Sequence, residues 1–175
     1  MPMLSLSRIV AFWAGIQPGR VAIDHEGASV TWAEFEERTN RLARAYEALG
    51  VGRDDFVTIG LPNGIEFIEA CFATWKLGAT PQPISAKLPK LERDQIVELA
   101  KPALVVGCAA VEYAPTPCVP EGFQPDASLS GAPLPEHTAA SLKAMTSGGS
   151  TGRPKLIVSK SPGAYDTDTV TLEIQ

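Results

Sequence analysis

The sequence predicts an α/β fold, a mainly parallel sheet flanked by helices, and three observations predict it. Residues 55–61 and 103–107 are short, nearly continuous apolar runs, as strands buried on both faces require. Stretches with apolar residues at helical spacing lie between and beside them. The resulting order of strand, helix, strand, helix, strand calls for crossover connections, and so for parallel pairing under a helical cover.

Taken in order, residues 9–16 form an apolar run preceded by Arg8. No small-x-small cleavage site follows, because Gln17-Pro18-Gly19-Arg20 comes next, and the run is far shorter than a membrane span. A short helix packing one face on the domain and stopped by Pro18-Gly19 is expected. Residues 20–24 read as a strand, His25-Glu26-Gly27 as a turn and Ala28-Ser29-Val30 as the returning strand of a small hairpin. Thr31-Trp32-Ala33-Glu34 has the spacing of a capping box, in which hydroxyl and carboxylate each satisfy a free N–H at a helix start. The helix it opens carries Trp32, Phe35, Leu42, Tyr46 and Leu49 on one stripe, and Gly50 stands where a left-handed cap belongs. Glu34, Glu36, Glu37, Arg38 and Arg41 read as its solvated face.

The strand at 55–61 is ended by Pro62-Asn63-Gly64, and a helix over 65–77 follows through Phe67, Ile68, Cys71, Phe72 and Trp75, with Gly78 closing it. Cys71 lies inside that stripe, which makes it a packed core thiol. Residues 80–85 are a short extended segment interrupted by proline, and 88–100 a helix with Leu91, Ile96, Val97 and Leu99. The strand at 103–107 comes next. Residues 114–138 carry Pro115, Pro117, Pro120, Pro125, Pro133 and Pro135 with few large apolar side chains, the composition of a surface loop and not of a core element. Residues 141–146 and 155–159 then read as two strands of a hairpin, and no periodicity is evident beyond Ser161.

A chain of 175 residues has room for one domain or one large subdomain. Its 45% hydrophobic and 20% charged content excludes disorder, collagen-like repeats and a coiled coil. The net charge of −5 gives no support to a nucleic-acid partner, and Trp13, Trp32 and Trp75 sit on three different helices with no basic groove between them. Cys71, Cys108 and Cys118 are too far apart in sequence for a C-x-x-C pattern, so reduced thiols and a cytoplasmic location are expected. His25 and His137 have no close sequence partner, and no metal site is expected of either.

Chemistry concentrates at the hairpin tip, Ser147-Gly148-Gly149-Ser150-Thr151-Gly152-Arg153-Pro154-Lys155. Glycines let a backbone approach a ligand and turn its N–H groups inward, and the hydroxyls of Ser147, Ser150 and Thr151 add donors and acceptors. Such a loop suits phosphate. Lys155 adds a point charge, and Pro154 between Arg153 and Lys155 excludes the Walker pattern of contiguous Gly-Lys-Ser/Thr.

This string resembles the phosphate-loop signature T/S-S-G-S/T-T-G-x-P-K-G of the adenylate-forming superfamily, the acyl-CoA synthetases, luciferases and peptide-synthetase adenylation domains. The stretches starting at Pro18 (PGRVAI), Thr31 (TWAEF), Asn40 (NRLA), Gly50 (GVG), Leu61 (LPNGIEF) and Lys76 (KLGA) resemble further landmarks, in family order up to about Val158. The Gly148-Gly149 variant and the missing histidine after the loop resemble carboxylate–CoA ligases of the bile-acid and long-chain fatty-acid type. Gly148 departs from the family's usual Ser, and Leu156 from a frequent Gly.

The resemblance implies that residues 1–175 are an incomplete N-terminal part of the large adenylate-forming domain, since the adenine pocket, acyl pocket, magnesium-binding Glu, ribose-binding Asp and C-terminal lysine of the family lie beyond its phosphate loop. It makes Ser150, Thr151 and Gly152 the phosphate cradle, has Ser147, Gly148 and Gly149 shape the turn, and makes Lys155 the catalytic loop lysine near the ATP phosphates. The implied reaction is attack of a carboxylate on the α-phosphate of Mg-ATP, giving an acyl-adenylate and pyrophosphate, then transfer of the acyl group to a thiol. Implied cofactors are ATP, Mg2+ and coenzyme A as co-substrate. The implied partners are a small carboxylic acid and the thiol of CoA or of a carrier protein. An acid–CoA ligase is the leading expectation, a stand-alone adenylation domain loading a carrier protein or a non-catalytic remnant the alternatives. A chain cut here would expose sheet surface, which leaves a homodimer open.

Overall fold

A computed structural model describes residues 3–147 and 154–166. Its elements run β1 (Met3–Ser5), α1 (Ser7–Ile16), β2 (Val21–His25), β3 (Ala28–Thr31), α2 (Trp32–Ala48), β4 (Phe56–Ile59), α3 (Ile65–Lys76), β5 (Thr80–Pro83), α4 (Lys90–Ala100), β6 (Leu104–Val106), β7 (Cys118–Val119), β8 (Ala144–Ser147), β9 (Lys155–Val158) and β10 (Ala164–Asp166). The central sheet has the order β5-β4-β6-β7, with every neighbour parallel. It is the predicted α/β arrangement.

Strand alternation divides the core. Val57, Ile59, Leu104 and Val106 pack with Leu42, Ala43 and Tyr46 of α2 and Ala70, Cys71 and Ala73 of α3. On the opposite face, Val105 packs with Val97 of α4. The box that opens α2 is formed as expected, with the Thr31 hydroxyl accepting from the Glu34 N–H and the Glu34 carboxylate accepting from the Thr31 N–H. A third cluster joins Val10 of α1, Val30 of β3 and Phe35 of α2, with Trp32 and Phe72 against it.

Prolines fix where the sheet stops. In β5, Thr80 and Ile84 send their N–H groups to Asp55 and Ile59 of the β4 side at 2.8 and 2.9 Å. The alternating residues, Pro81 and Pro83, therefore place their missing N–H on the outer edge, where no strand follows among the described residues. The Pro-interrupted segment is a true edge strand whose prolines block extension.

Two expectations are corrected. The proline-rich segment is more than a surface loop, because Cys118 and Val119 are buried in β7, and Phe123 and Leu134 pack against the main cluster. A strand of two residues between turns has no periodicity to announce it. The charged face of α2 is not solvated throughout. Glu36 and Asn40 are buried, and both meet the Lys76 ammonium of α3 at 2.7 Å. Asn40 also donates to the Gly131 carbonyl, while Arg41 and Arg44 donate to the carbonyls of Leu129, Ser130 and Ala132. That face is covered by the proline-rich segment, and only its outer residues form the expected exposed pairing, such as Glu37 with Arg41.

The first and last described strands meet as well. β1 pairs antiparallel with β10, and each is only three residues long, too short for a pattern in sequence. His25 and His137 are half-buried, and no cluster of three potential metal ligands occurs among the described residues.

Burial holds the Lys76 ammonium below its ordinary pKa, with Glu36 opposing that shift. Lys76→Met should cost about 3–5 kcal/mol in a urea melt by stranding the Glu36 charge, whereas the double change to Met at 76 and Leu at 36 should recover most of it. Burial raises the Cys71 and Cys108 thiols to about 12, and all three cysteines are buried and unbridged. An aromatic disulfide reagent at pH 8 should therefore react slowly with the folded chain and rapidly with three thiols in denaturant.

Candidate functional site

In open parallel sheets, ligands sit beyond the carboxyl ends of the strands, at the point where the strand order reverses. Here that point lies between β4 and β6, and backbone closes it. A Cβ on Gly107, at φ +90°, would lie 2.6 Å from the Gly60 carbonyl oxygen. The two glycines allow this approach and leave no crevice between them. The open space at the carboxyl end is displaced to β5.

There a cavity of about 500 Å³ is bounded by Pro83 at the end of β5 with Ile84 and Ser85 after it, by Leu88 ahead of α4 and Glu92, Gln95 and Ile96 along it, and by Met145, Thr146, Ser147 and Pro154 of the hairpin. The hairpin is β8 paired antiparallel with β9, and its register sets Ser147 opposite Lys155. The Lys155 N–H donates to the Ser147 hydroxyl at 3.3 Å. Cross-strand pairing thus joins the two ends of the glycine- and hydroxyl-rich string. Met145 and Ile157 form the neighbouring pair. Lys155 is exposed, and among the described residues no carboxylate pairs with it.

Of the sequence-predicted site residues, the structure brings together Ser147 and Lys155. Gly148, Gly149, Ser150, Thr151 and Gly152 lie outside the described residues. Sequence reasoning did not single out Ser85, Glu92 or Gln95, which share the cavity with Ser147. Nothing in their local sequence marks them, because the crossover from β5 to α4 is what brings them to the hairpin.

The hairpin is anchored by contacts outside the central sheet. Thr80 donates its hydroxyl to the Ser141 carbonyl at 3.3 Å, and the Trp75 indole N–H donates to the Leu142 carbonyl at 3.0 Å. The Leu142 and Ser159 N–H groups then tie the two strands' approach together by bonding Ser161 and Lys143.

A second cavity of about 500 Å³ lies between α2, α3 and the segment near Phe123. Its charges are already matched. Arg38 meets both Glu69 oxygens at 2.8 and 3.2 Å, and Arg41 pairs with Glu37. Burial raises the carboxyl pKa values of Glu66 and Glu69. With the Glu66 carboxylate taken up by the Gly122 N–H, this cavity presents no free charge for a phosphate.

Comparison with known proteins places the chain in a family. A 32% identical relative over 165 residues is the isonitrile lipopeptide synthase of Streptomyces coeruleorubidus, matched over 88% of this chain and 11% of its own length. A dimodular nonribosomal peptide synthase of Bacillus subtilis is 32% identical over 93 residues, which are 53% of this chain and 4% of that one. The chain thus spans a small fraction of the curated relatives it matches. Among solved structures, the N-terminal subdomain of NpsA from Klebsiella oxytoca superposes with a TM-score of 0.75 at 18% identity, over 90% of this chain and 42% of that chain, a likeness of fold. The family model described as AMP-binding enzyme matches residues 10–165, and the chain belongs to that family.

Proposed function

We propose that this chain is the N-terminal part of an adenylation domain that activates a small carboxylic acid with ATP and delivers it to the thiol arm of a carrier protein. The observation that carries the reading is the hairpin, whose Ser147 and Lys155 face each other beside an open cavity at the ends of a glycine- and hydroxyl-rich string. In the proposed reaction a substrate carboxylate oxygen attacks the α-phosphorus of ATP, the α–β bridging P–O bond breaks, and pyrophosphate leaves. Negative charge builds on the departing pyrophosphate. Backbone N–H groups, hydroxyls and the Lys155 ammonium are the donor types that suit its stabilisation, because catalysis here requires donors that meet developing charge.

Attack of a thiol on the acyl-adenylate then expels AMP. A carrier-protein thiol is favoured by the relatives, since a protein named a nonribosomal peptide synthase is among the 32% identical matches. The proposed Mg2+ accompanies ATP. Among the described residues no three carboxylates, histidines or cysteines converge to hold a metal, so no step is assigned to one here. Coenzyme A as acceptor is a second reading, favoured by the Gly148-Gly149 variant of the loop and its resemblance to carboxylate–CoA ligases.

The test is exchange of labelled pyrophosphate into ATP by the natural-length polypeptide carrying this chain, over a panel of amino acids and other carboxylic acids. Exchange should require an acid, and Lys155→Ala should lower it by about a hundredfold. Acid-independent exchange, or none with any acid, would contradict the reading. Acyl transfer to CoA but not to a carrier protein would replace the first acceptor with the second.

A further inference from the structure

Gln82 is wholly buried at the centre of β5. Its Oε1 accepts a hydrogen bond from the Thr58 hydroxyl on β4, and its Nε2 is buried without a partner among the described residues. Turning the amide over pairs Nε2 with Thr58 and leaves Oε1 alone, so one atom is spare in either orientation. An unpaired buried polar atom is destabilising, and native cores seldom keep one without a use for it.

Its location supplies the use. Thr80 and Gln82 share a face of β5, because side chains alternate along a strand. The Thr80 hydroxyl reaches the Ser141 carbonyl, and three to five residues further on Pro83, Ile84 and Ser85 share a cavity with Met145 and Ser147. The chain from Ser141 to Ser147 therefore tracks β5 from Thr80 to Ser85, and β5 and β8 are in contact. Gln82 lies abreast of the middle of that segment. Among the described residues β8 forms a ladder with β9 alone, so its second edge retains backbone groups that a carboxamide can bond.

We infer that Gln82 is a positioning residue for the hairpin, its spare carboxamide atom bonding the free edge of β8 when Ser147 and Lys155 engage a polyphosphate. The inference rests on the adenylation reading above. Gln82 does not touch the ligand. It favours the arrangement of β8 that the ligand selects, and a ligand shifts such an equilibrium only through this kind of differential contact.

Calorimetric titration with inorganic pyrophosphate, together with thermal melting, tests it on three forms of the natural-length polypeptide carrying this chain: wild type, Thr58→Val, and Thr58→Val with Gln82→Met. The single variant keeps the carboxamide and should bind as wild type does. The double variant replaces both polar groups by apolar ones of similar shape, so its Tm should equal or exceed that of wild type while its Kd for pyrophosphate rises about tenfold. A double variant that binds as tightly as wild type overturns the inference and leaves the adenylation reading in place. A double variant melting well below wild type also overturns it, because the carboxamide would then be fully paired in the free chain. A wild-type chain that binds no pyrophosphate removes both readings.

Discussion

The central sheet ends at β5 because Pro81 and Pro83 deny its outer edge two N–H donors, and the placement of the hairpin follows from that constraint. A further strand cannot join there by a regular ladder. Residues 139–147 instead run alongside β5, held by individual bonds from Thr80 and Trp75 and by the Gly163 N–H to the Ala139 carbonyl. A segment attached in this way can shift at lower cost than a strand inside a ladder. The hairpin proposed to bind phosphate is thus set beside the sheet without being locked into its ladder.

On the other side of the sheet the constraint is electrostatic. Lys76, Glu36 and Asn40 are buried together between α3 and α2, and each needs the others to offset loss of water. Asn40 extends the network to the Gly131 carbonyl, and Arg44 to carbonyls on both sides of it. A proline-rich segment with little apolar surface is pinned by its backbone oxygens, which explains how so polar a stretch is ordered against a helix. Gly131 fits because any Cβ there would collide with the Glu37 side chain.

Much of the fold was legible in the sequence where one period or one cap dominated. The Thr31–Glu34 box, the α2 stripe, and Gly50 and Gly78 in left-handed conformations follow from local chemistry and stand as read. The apolar runs around Val57 and Val105 announced buried parallel strands. Illegible were the elements defined by their partners. β1 and β10 bring together residues more than 150 positions apart, β7 has two residues, and Glu36 resembles its solvated neighbours until Lys76 arrives from the next helix. The site divides the same way. The pairing of Ser147 with Lys155 follows from the hairpin that the sequence predicts, whereas Ser85, Glu92, Gln95 and Gln82 acquire a relation to it only through the β5 crossover, and residues 148–152 lie outside the described residues.

In the proposed function one surface, beside the hairpin, handles the nucleotide, and the equally large cavity between α2 and α3 does not, because its arginines and carboxylates already neutralise one another. The most direct test is to follow the backbone amide resonances of the chain while ATP is added. Shifts should centre on Ser147, Lys155 and the Ile84 and Ser85 amides that follow β5. Shifts centred on Arg38, Glu69 and Phe123, or none at saturating nucleotide, would contradict that assignment.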